Sequence, residues 1–378
     1  MSAHHLLLRS ATTEEMLRVY GDDNAIRHAL AFEAALARAT LPPDLADQIA
    51  QACASLHIDG ASLAAEAAHA GTMAIPLVAR LRGALSGGAA EAVHRGATSQ
   101  DLADTVMVLQ AKQAEALLDA DLRRTLAGLA GLAEQHAETP AMGRTLLQDA
   151  LPITFGLRAA QWLMGIHQAR CAFSRACEAA LVLQHGGPVG ATPPSELLAA
   201  ELGLRAPRAP WHARRVALAG LASALGILIG AFAKMAGDIA LLAQNGIGEA
   251  REPERAGRGG SSSMPHKNNP TGSQLALSAA ARAPGLVAAF LAGLAHQQFE
   301  RGLGGWQAEA PVLAELFMLA GGSARAMAEV AEGLEVDAAA MARNLAAAGR
   351  GAETGESADL ARALLAEFRE NGDALRDP

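Results

Sequence analysis

The segment "LAGLASALGILIGAFAKMAGDIALL", Leu218 to Leu242, decides the fold class of this chain. Large apolar residues recur along it in alternating steps of three and four, which places one continuous apolar stripe along an α-helix. The Ala and Gly residues between them make the remaining faces apolar as well. We therefore expect this helix to be surrounded by partner helices, some of them from other copies of the chain.

The uncharged run over residues 216–233 is about the length that could cross a membrane. However, it contains many Ala and Gly residues, and Lys234 and Asp238 continue the same helical pattern. We interpret it as a helix buried in protein, and we expect no membrane partner.

Similar patterns predict further long helices over residues 99–136, 152–183, 271–298 and 308–333, which with 211–245 makes five. Shorter helices are predicted before Ser99, for instance over residues 23–40 and 61–70. Fixed-period repeats and strand-rich regions are not visible, so a β-sheet is not expected. We predict an all-α protein with an N-terminal helical domain (1–98), a long-helix domain (99–333) and an abbreviated C-terminal helical domain (334–378).

Composition excludes several functions. The chain has a net charge of -8 and no basic run, which disfavours nucleic-acid binding. Cys53, Cys171 and Cys177 lack metal-ligand spacing, so we expect them to be small apolar groups in a reducing compartment. The N-terminal stretch has neither a sufficient apolar core nor a small-residue cleavage site, so a cytoplasmic location is expected.

The loop "GRGGSSSMPHKNNP", Gly257 to Pro270, is the main concentration of polar chemistry. Lys267 lies between His266 and Asn268, so the phosphate-binding pattern of Gly-Lys-Ser/Thr is not met, and the serine-nucleophile patterns are also missing. The scattered histidines predict neither a metal nor a cofactor. Residues 251–270 carry four cationic and two anionic side chains, a local excess of two positive charges that suits an anion. A solvated linker is the alternative interpretation.

The string "GSSSMPHKNNP" resembles the signature Gly-Ser-Ser-x-Met-Pro-x-Lys-x-Asn-Pro of the fumarase/aspartase superfamily and matches every fixed position. "HRGATSQD" (His94 to Asp101) and "GRTLLQDALPITFG" (Gly143 to Gly156) resemble the other two signature segments. "QHGGPVGA" and "ERGLGGWQAE" resemble related segments of the same superfamily. The resemblance implies a central bundle with five long helices per subunit. It also implies a homotetramer in which each active site draws its three segments from three subunits.

The resemblance also implies roles for individual residues. Ser261 would be catalytic, with Lys267 and Asn269 holding substrate carboxylates and the developing negative charge. The predicted substrate-binding residues are His94, Thr98, Ser99, Thr145, Leu146, Gln148, Met264 and Arg301.

Some of these residues also have structural interpretations. His94 could cap or pack at a helix start, and Thr98 and Ser99 are good N-cap residues. Arg301 could instead form an ion pair with Glu300 or Glu309.

The second segment departs from the superfamily's adenylosuccinate and argininosuccinate lyases, which carry Thr-His where this chain has Thr145 and Leu146. A departing amine needs a proton donor, whereas a carboxylate, with a pKa of about 4, needs none. The missing acid therefore points to a reaction in which a carboxylate is the group added or expelled. The signature segments also resemble, more closely than they resemble the lyases, the superfamily branch that closes a lactone from 3-carboxy-cis,cis-muconate, a small tricarboxylate. An adenylosuccinate-type lyase with another acid and a non-catalytic scaffold remain the alternatives. The abbreviated C-terminal region predicts a more open site or a less stable subunit.

Overall fold

The computed structural model describes residues 11–264 and 267–373. Within the described residues, six short or medium helices come first: α1 (Glu14–Val19), α2 (Asp22–Thr40), α3 (Pro43–Ser55), α4 (Gly60–Ala70), α5 (Ala74–Gly83) and α6 (Gly87–Ala92). The five long helices are α7 (Ser99–Gln135), α8 (Phe155–Ala180), α10 (Val216–Leu242), α11 (Thr271–Leu294) and α12 (Gly305–Gly333). Three further helices are α9 (Glu196–Glu201), α13 (Ala338–Ala347) and α14 (Ser357–Asp373).

All five predicted long helices are confirmed, and so is the helical fold class. The apolar stripe of α10 is buried, since Leu221, Leu225, Leu228, Phe232 and Met235 have no exposed surface. Burial of this stripe is what stabilises such a long helix, at about 1.5–3 kcal/mol for each large apolar side chain.

Helix α10 also has an exposed apolar face, which includes Val216, Ile227 and Leu241. Helices α10 and α11 are long and apolar enough to cross a membrane by length and composition, a test that the core helices of soluble proteins also pass. The most apolar window is 50% buried in α10 and 22% buried in α11.

The expectation that the chain contains no sheet was wrong at two places. Strands β1 (Pro140–Thr145) and β2 (Gln148–Thr154) form an antiparallel hairpin, and β3 (Ala250–Arg251) pairs with β4 (Glu335–Val336). Pro152 was predicted to begin a helix, but it pairs with Met142, and α8 begins only at Phe155. Gly143 lies at an irregularity in β1, where a Cβ atom would approach the Leu151 carbonyl oxygen to 2.5 Å.

The chain divides into two compact units. The first contains the residues up to 117 together with 174–223 and 285–318. The second contains 118–173, 224–284 and the residues from 319 onward. The predicted domain boundaries near residues 98 and 333 remain predictions.

Candidate active site

In the first unit, the segment from His94 to Asp101 leads into α7, and the Asp101 side chain caps the start of this helix. The Thr98 backbone N–H donates to Asp101 Oδ2 at 3.0 Å, and the Thr98 carbonyl accepts the Asp101 N–H at 3.0 Å. This pairing satisfies backbone groups that the first helical turn leaves free. Thr98 is thus the N-cap residue, and Ser99 is the first residue of the helix.

Arg301 lies against this helix start. Its Nη1 donates to Thr98 Oγ1 and its Nε to Gln100 Oε1, both at 3.0 Å, while Nη2 donates to the Pro188 carbonyl at 3.1 Å. Three related segments therefore meet around one guanidinium group. Glu309, one of the two ion-pair partners suggested for Arg301, pairs with Arg215 instead.

His94 is held by a carboxylate that the sequence analysis did not identify. Its Nδ1 lies 2.6 Å from Glu33 Oε1, and Glu33 is only 1% exposed within helix α2. His94 also has a positive φ of 61°, which is uncommon for a residue other than glycine. The contact fixes the ring through Nδ1 and leaves Nε2 as the nitrogen that can meet a ligand. The sequence signal for Glu33 was a single carboxylate inside the otherwise apolar stretch of residues 29–37.

Two further sets of buried charged residues, which were not identified from the sequence, support the start of α7. His212 Nε2 lies 2.7 Å from Asp101 Oδ1. The Arg215 guanidinium is fully buried, bonds to both Asp104 and Glu309, and lies 4.7 Å from the ring centroid of Trp211. A buried charge survives only when it is paired and hydrogen-bonded, so this network makes the helix start rigid.

In the second unit, the hairpin turn presents the residues of the second segment. Thr145 pairs with Gln148 across the turn, and Leu146 and Leu147 form its two central positions. Both leucines have positive φ, 51° and 63°, as in a type I′ turn, which normally selects Asn and Gly. Leu146 is 96% exposed and Leu147 75% exposed. A strained turn that displays bulky apolar side chains to solvent is typical of a functional segment.

A cavity of about 710 Å³ lies beside the hairpin within the second unit. Thr145 is the predicted substrate residue that lines it, together with Leu147, Arg158, Trp162, Lys234 and mostly apolar neighbours. Thr145 is one of eleven predicted site residues, and the other ten do not line this cavity, so we do not place the reaction there.

The loop carrying Ser261 also belongs to the second unit. Ser261 Oγ accepts the Met264 N–H at 3.1 Å and the Ser263 N–H at 3.4 Å. Backbone N–H groups aimed at an oxygen stabilise negative charge on it, which a serine needs in order to lose and regain its proton. Met264 is 40% exposed and Lys267 is exposed. Both are therefore open to a ligand.

Asn269 joins the two ends of the loop through hydrogen bonds to Gly259. Its backbone N–H and its side-chain Nδ2 both donate to the Gly259 carbonyl, at 2.7 and 3.0 Å. Gly259 has a φ of 79°, and a Cβ there would lie 2.0 Å from Asn268 Oδ1, so this position requires glycine. Asn269 therefore has a structural role in addition to the predicted contact with substrate. Pro265 and His266 lie outside the described residues.

The end of the loop is fixed by Glu252, which was also missed. Its carboxylate accepts the N–H groups of Gly272 and Ser273 at 2.9 and 2.7 Å, at the first turn of α11. The structure thus places the predicted site residues in three groups: the start of α7 with Arg301, the hairpin turn, and the loop. Their predicted contacts with substrate remain predictions.

Comparison with known proteins identifies the family. The lyase family model matches residues 7–285. A 3-carboxy-cis,cis-muconate cycloisomerase of Bradyrhizobium diazoefficiens is 42% identical over 356 residues, covering 90% of this chain and 79% of the relative. A protein of the same name from Pseudomonas aeruginosa is 44% identical over 346 residues, covering 87% of this chain and 75% of the relative.

A solved structure agrees with these relatives. The 3-carboxy-cis,cis-muconate lactonizing enzyme from Pseudomonas putida matches with a TM-score of 0.84 and 37% identity, covering 99% of this chain and 89% of that one. Family model, sequence identity and three-dimensional similarity lead to one conclusion. The chain belongs to the lyase family, within the fumarase/aspartase superfamily.

Proposed function

We propose that this protein is an enzyme that converts 3-carboxy-cis,cis-muconate into a carboxymuconolactone, a step in the protocatechuate branch of the β-ketoadipate pathway. The observation that carries the proposal is the hairpin turn, where the superfamily's amine-releasing lyases carry an acid and this chain presents Leu146, 96% exposed. A reaction that adds a carboxylate has no use for that acid. The relatives at 42% and 44% identity, both named for this reaction, support the same choice.

The bond changes follow from the chemistry of the substrate. One substrate carboxylate oxygen attacks a carbon of the double bond and forms the ring C–O bond. The electron pair of the double bond moves to the neighbouring carbon and spreads into the carboxylate attached to it. Ser261 delivers a proton to that carbon and is reprotonated from solvent, so the reaction consumes one proton.

The residues of the site divide this work. The N–H groups of Ser263 and Met264 stabilise the Ser261 oxygen after the proton has left. Lys267 neutralises a substrate carboxylate, and Arg301 retains guanidinium N–H groups beyond its three bonds for another. His94, Thr98, Ser99, Thr145 and Gln148 line the anionic pocket, and Leu146 excludes water from it. No cofactor takes part in these steps.

We further infer a cytoplasmic homotetramer that shares its active sites between subunits. The exposed apolar faces of α10 and α11, including Ile227, Leu241, Leu277 and Leu291, support this inference, because burying such side chains stabilises an assembly. The display of Leu146 and Leu147 at the hairpin turn supports it as well.

An ultraviolet assay tests the function directly. We expect the purified protein to consume 3-carboxy-cis,cis-muconate and to release no fumarate from adenylosuccinate. Efficient fumarate release would favour the lyase alternative. A folded protein that is inert toward both substrates would favour a non-catalytic scaffold.

A further inference from the structure

The hairpin that presents Thr145 and Gln148 is fixed from outside by one buried carboxylate. Arg144 precedes Thr145 in β1, and its Nη1 and Nη2 donate to the two oxygens of Glu249 at 2.9 and 2.7 Å. Its Nε donates to Asp149 of β2 at 3.0 Å, so the same guanidinium also ties the two strands together. A two-pronged bond to a planar carboxylate fixes direction as well as distance.

Glu249 is in turn held at several points, and its side chain is completely buried. Asn344 Nδ2 donates to Glu249 Oε1 at 2.7 Å and to the Ile247 carbonyl at 2.9 Å. The Glu249 carbonyl accepts the Asp337 N–H at 2.9 Å. All three contacts come from Asn344 and Asp337, which lie in the region 334–378 that was predicted to be a separate C-terminal domain.

A second arginine completes the arrangement. Arg158 donates through Nη2 to the Met142 carbonyl at 2.8 Å, next to the irregularity at Gly143, and its Nη1 lies 4.0 Å from Glu249. Both arginines that hold the root of the hairpin therefore face the same carboxylate. Gly143 is where the hairpin could bend if that hold were lost.

We propose that Glu249 is a positioning residue for the lactonisation reaction, acting through Arg144 to hold the turn of residues 145–148 in its productive orientation. Through its hydrogen bond to Glu249, Asn344 makes the C-terminal region part of the structure that orients this turn. This proposal rests on the proposed function, because the turn matters only if its side chains meet the substrate. A displacement of about 1 Å at such a site can cost about a hundredfold in rate.

The test is Arg144→Lys, which keeps the positive charge beside Glu249 but removes the two-pronged geometry. Its matched control is Arg251→Lys at the 2.6 Å pair between Arg251 and Glu335, which joins β3 to β4. We expect Arg144→Lys and Asn344→Ala to lower kcat/KM at least tenfold at a temperature where all variants are folded and equally oligomeric. The control should stay within about twofold of the wild type. Hydrogen exchange over peptides covering residues 140–154 should accelerate in the first two variants only.

Three results would overturn the proposal. One is an activity loss in Arg144→Lys no larger than that in Arg251→Lys. Another is a large activity loss with unchanged exchange over residues 140–154. The third concerns a wild type that does not turn over carboxymuconate, in which case the proposed function fails. Unchanged hydrogen exchange over residues 140–154 in Arg144→Lys would then overturn the positioning role without any activity measurement.

Discussion

At the scale of single residues, the surroundings of Ser261 distinguish it from the two serines that follow. Its oxygen accepts two backbone N–H groups, whereas Ser262 and Ser263 are exposed. Ser263 contributes its N–H to this arrangement, and that group does not depend on the side chain. The chemistry of the loop is therefore concentrated on one hydroxyl group.

We predict that Ser261→Ala lowers kcat about 10²- to 10⁴-fold with a much smaller change in KM, because it removes the proton donor and leaves the anionic pocket intact. Ser263→Ala is the matched control and should retain near wild-type kcat, since its backbone N–H is preserved. Steady-state kinetics on carboxymuconate measure both. Equal losses in the two variants would contradict the assignment of Ser261.

Leu146 tests the choice of reaction. We predict that Leu146→His does not increase the rate of lactonisation, because no leaving group needs its proton and the polar ring would be desolvated without a partner. Leu146→Ala, which removes bulk without adding an acid, should weaken turnover moderately. A rate gain in Leu146→His with a pH dependence near that of imidazole would show that an acid was needed.

At the scale of elements, the hairpin turn is strained. Leu146 and Leu147 occupy the left-handed region, at about 1–2 kcal/mol for each such residue. We predict that Leu147→Gly raises the free energy of unfolding by up to about 1 kcal/mol, since the relieved strain is partly offset by the greater freedom of glycine in the unfolded chain. Leu147→Ala keeps the strain and is the control. Urea unfolding that ranks Leu147→Ala above Leu147→Gly would contradict this explanation.

The link between hairpin and C-terminal region should be sensitive to acid. Burial raises the pKa of Glu249, but hydrogen bonds from Arg144 and Asn344 and the charges of Arg144 and Arg158 hold it below its ordinary value. A carboxyl group of this kind stabilises the fold above its unfolded pKa of about 4.3, and the stabilisation disappears as pH falls through the folded value. We predict that the stability advantage of the wild type over Glu249→Gln is constant near neutral pH and shrinks as the pH falls below about 4.3. Thermal unfolding midpoints across this range measure it, and a constant difference would be the contrary result.

At the scale of the whole molecule, the predicted sharing of sites can be tested by complementation. Ser261→Ala and Thr98→Val should each be nearly inactive as pure proteins. We predict that unfolding and refolding them together restores part of the wild-type activity, because some mixed sites then receive intact segments from different subunits. Each variant refolded alone is the control. Activity in the mixture equal to the sum of the separate proteins, or an active monomer in light scattering, would contradict the shared-site tetramer.

The sequence alone determined the helical class, the five long helices and the family, because helix periodicity and short signature motifs are local properties of the chain. It also indicated Ser261 and Leu146, since both lie inside contiguous motifs.

Only the tertiary structure decided how these residues are held. His94 and Glu33 are 61 positions apart, and Arg144 and Glu249 are 105 positions apart, so no spacing rule could pair them. The hairpin was missed because β1 and β2 are stabilised by their pairing and by Arg144, Arg158 and Glu249, whereas their own residues indicate a loop and a helix start. Contacts between distant segments are decided when the chain packs, and the orientation of the site depends on them.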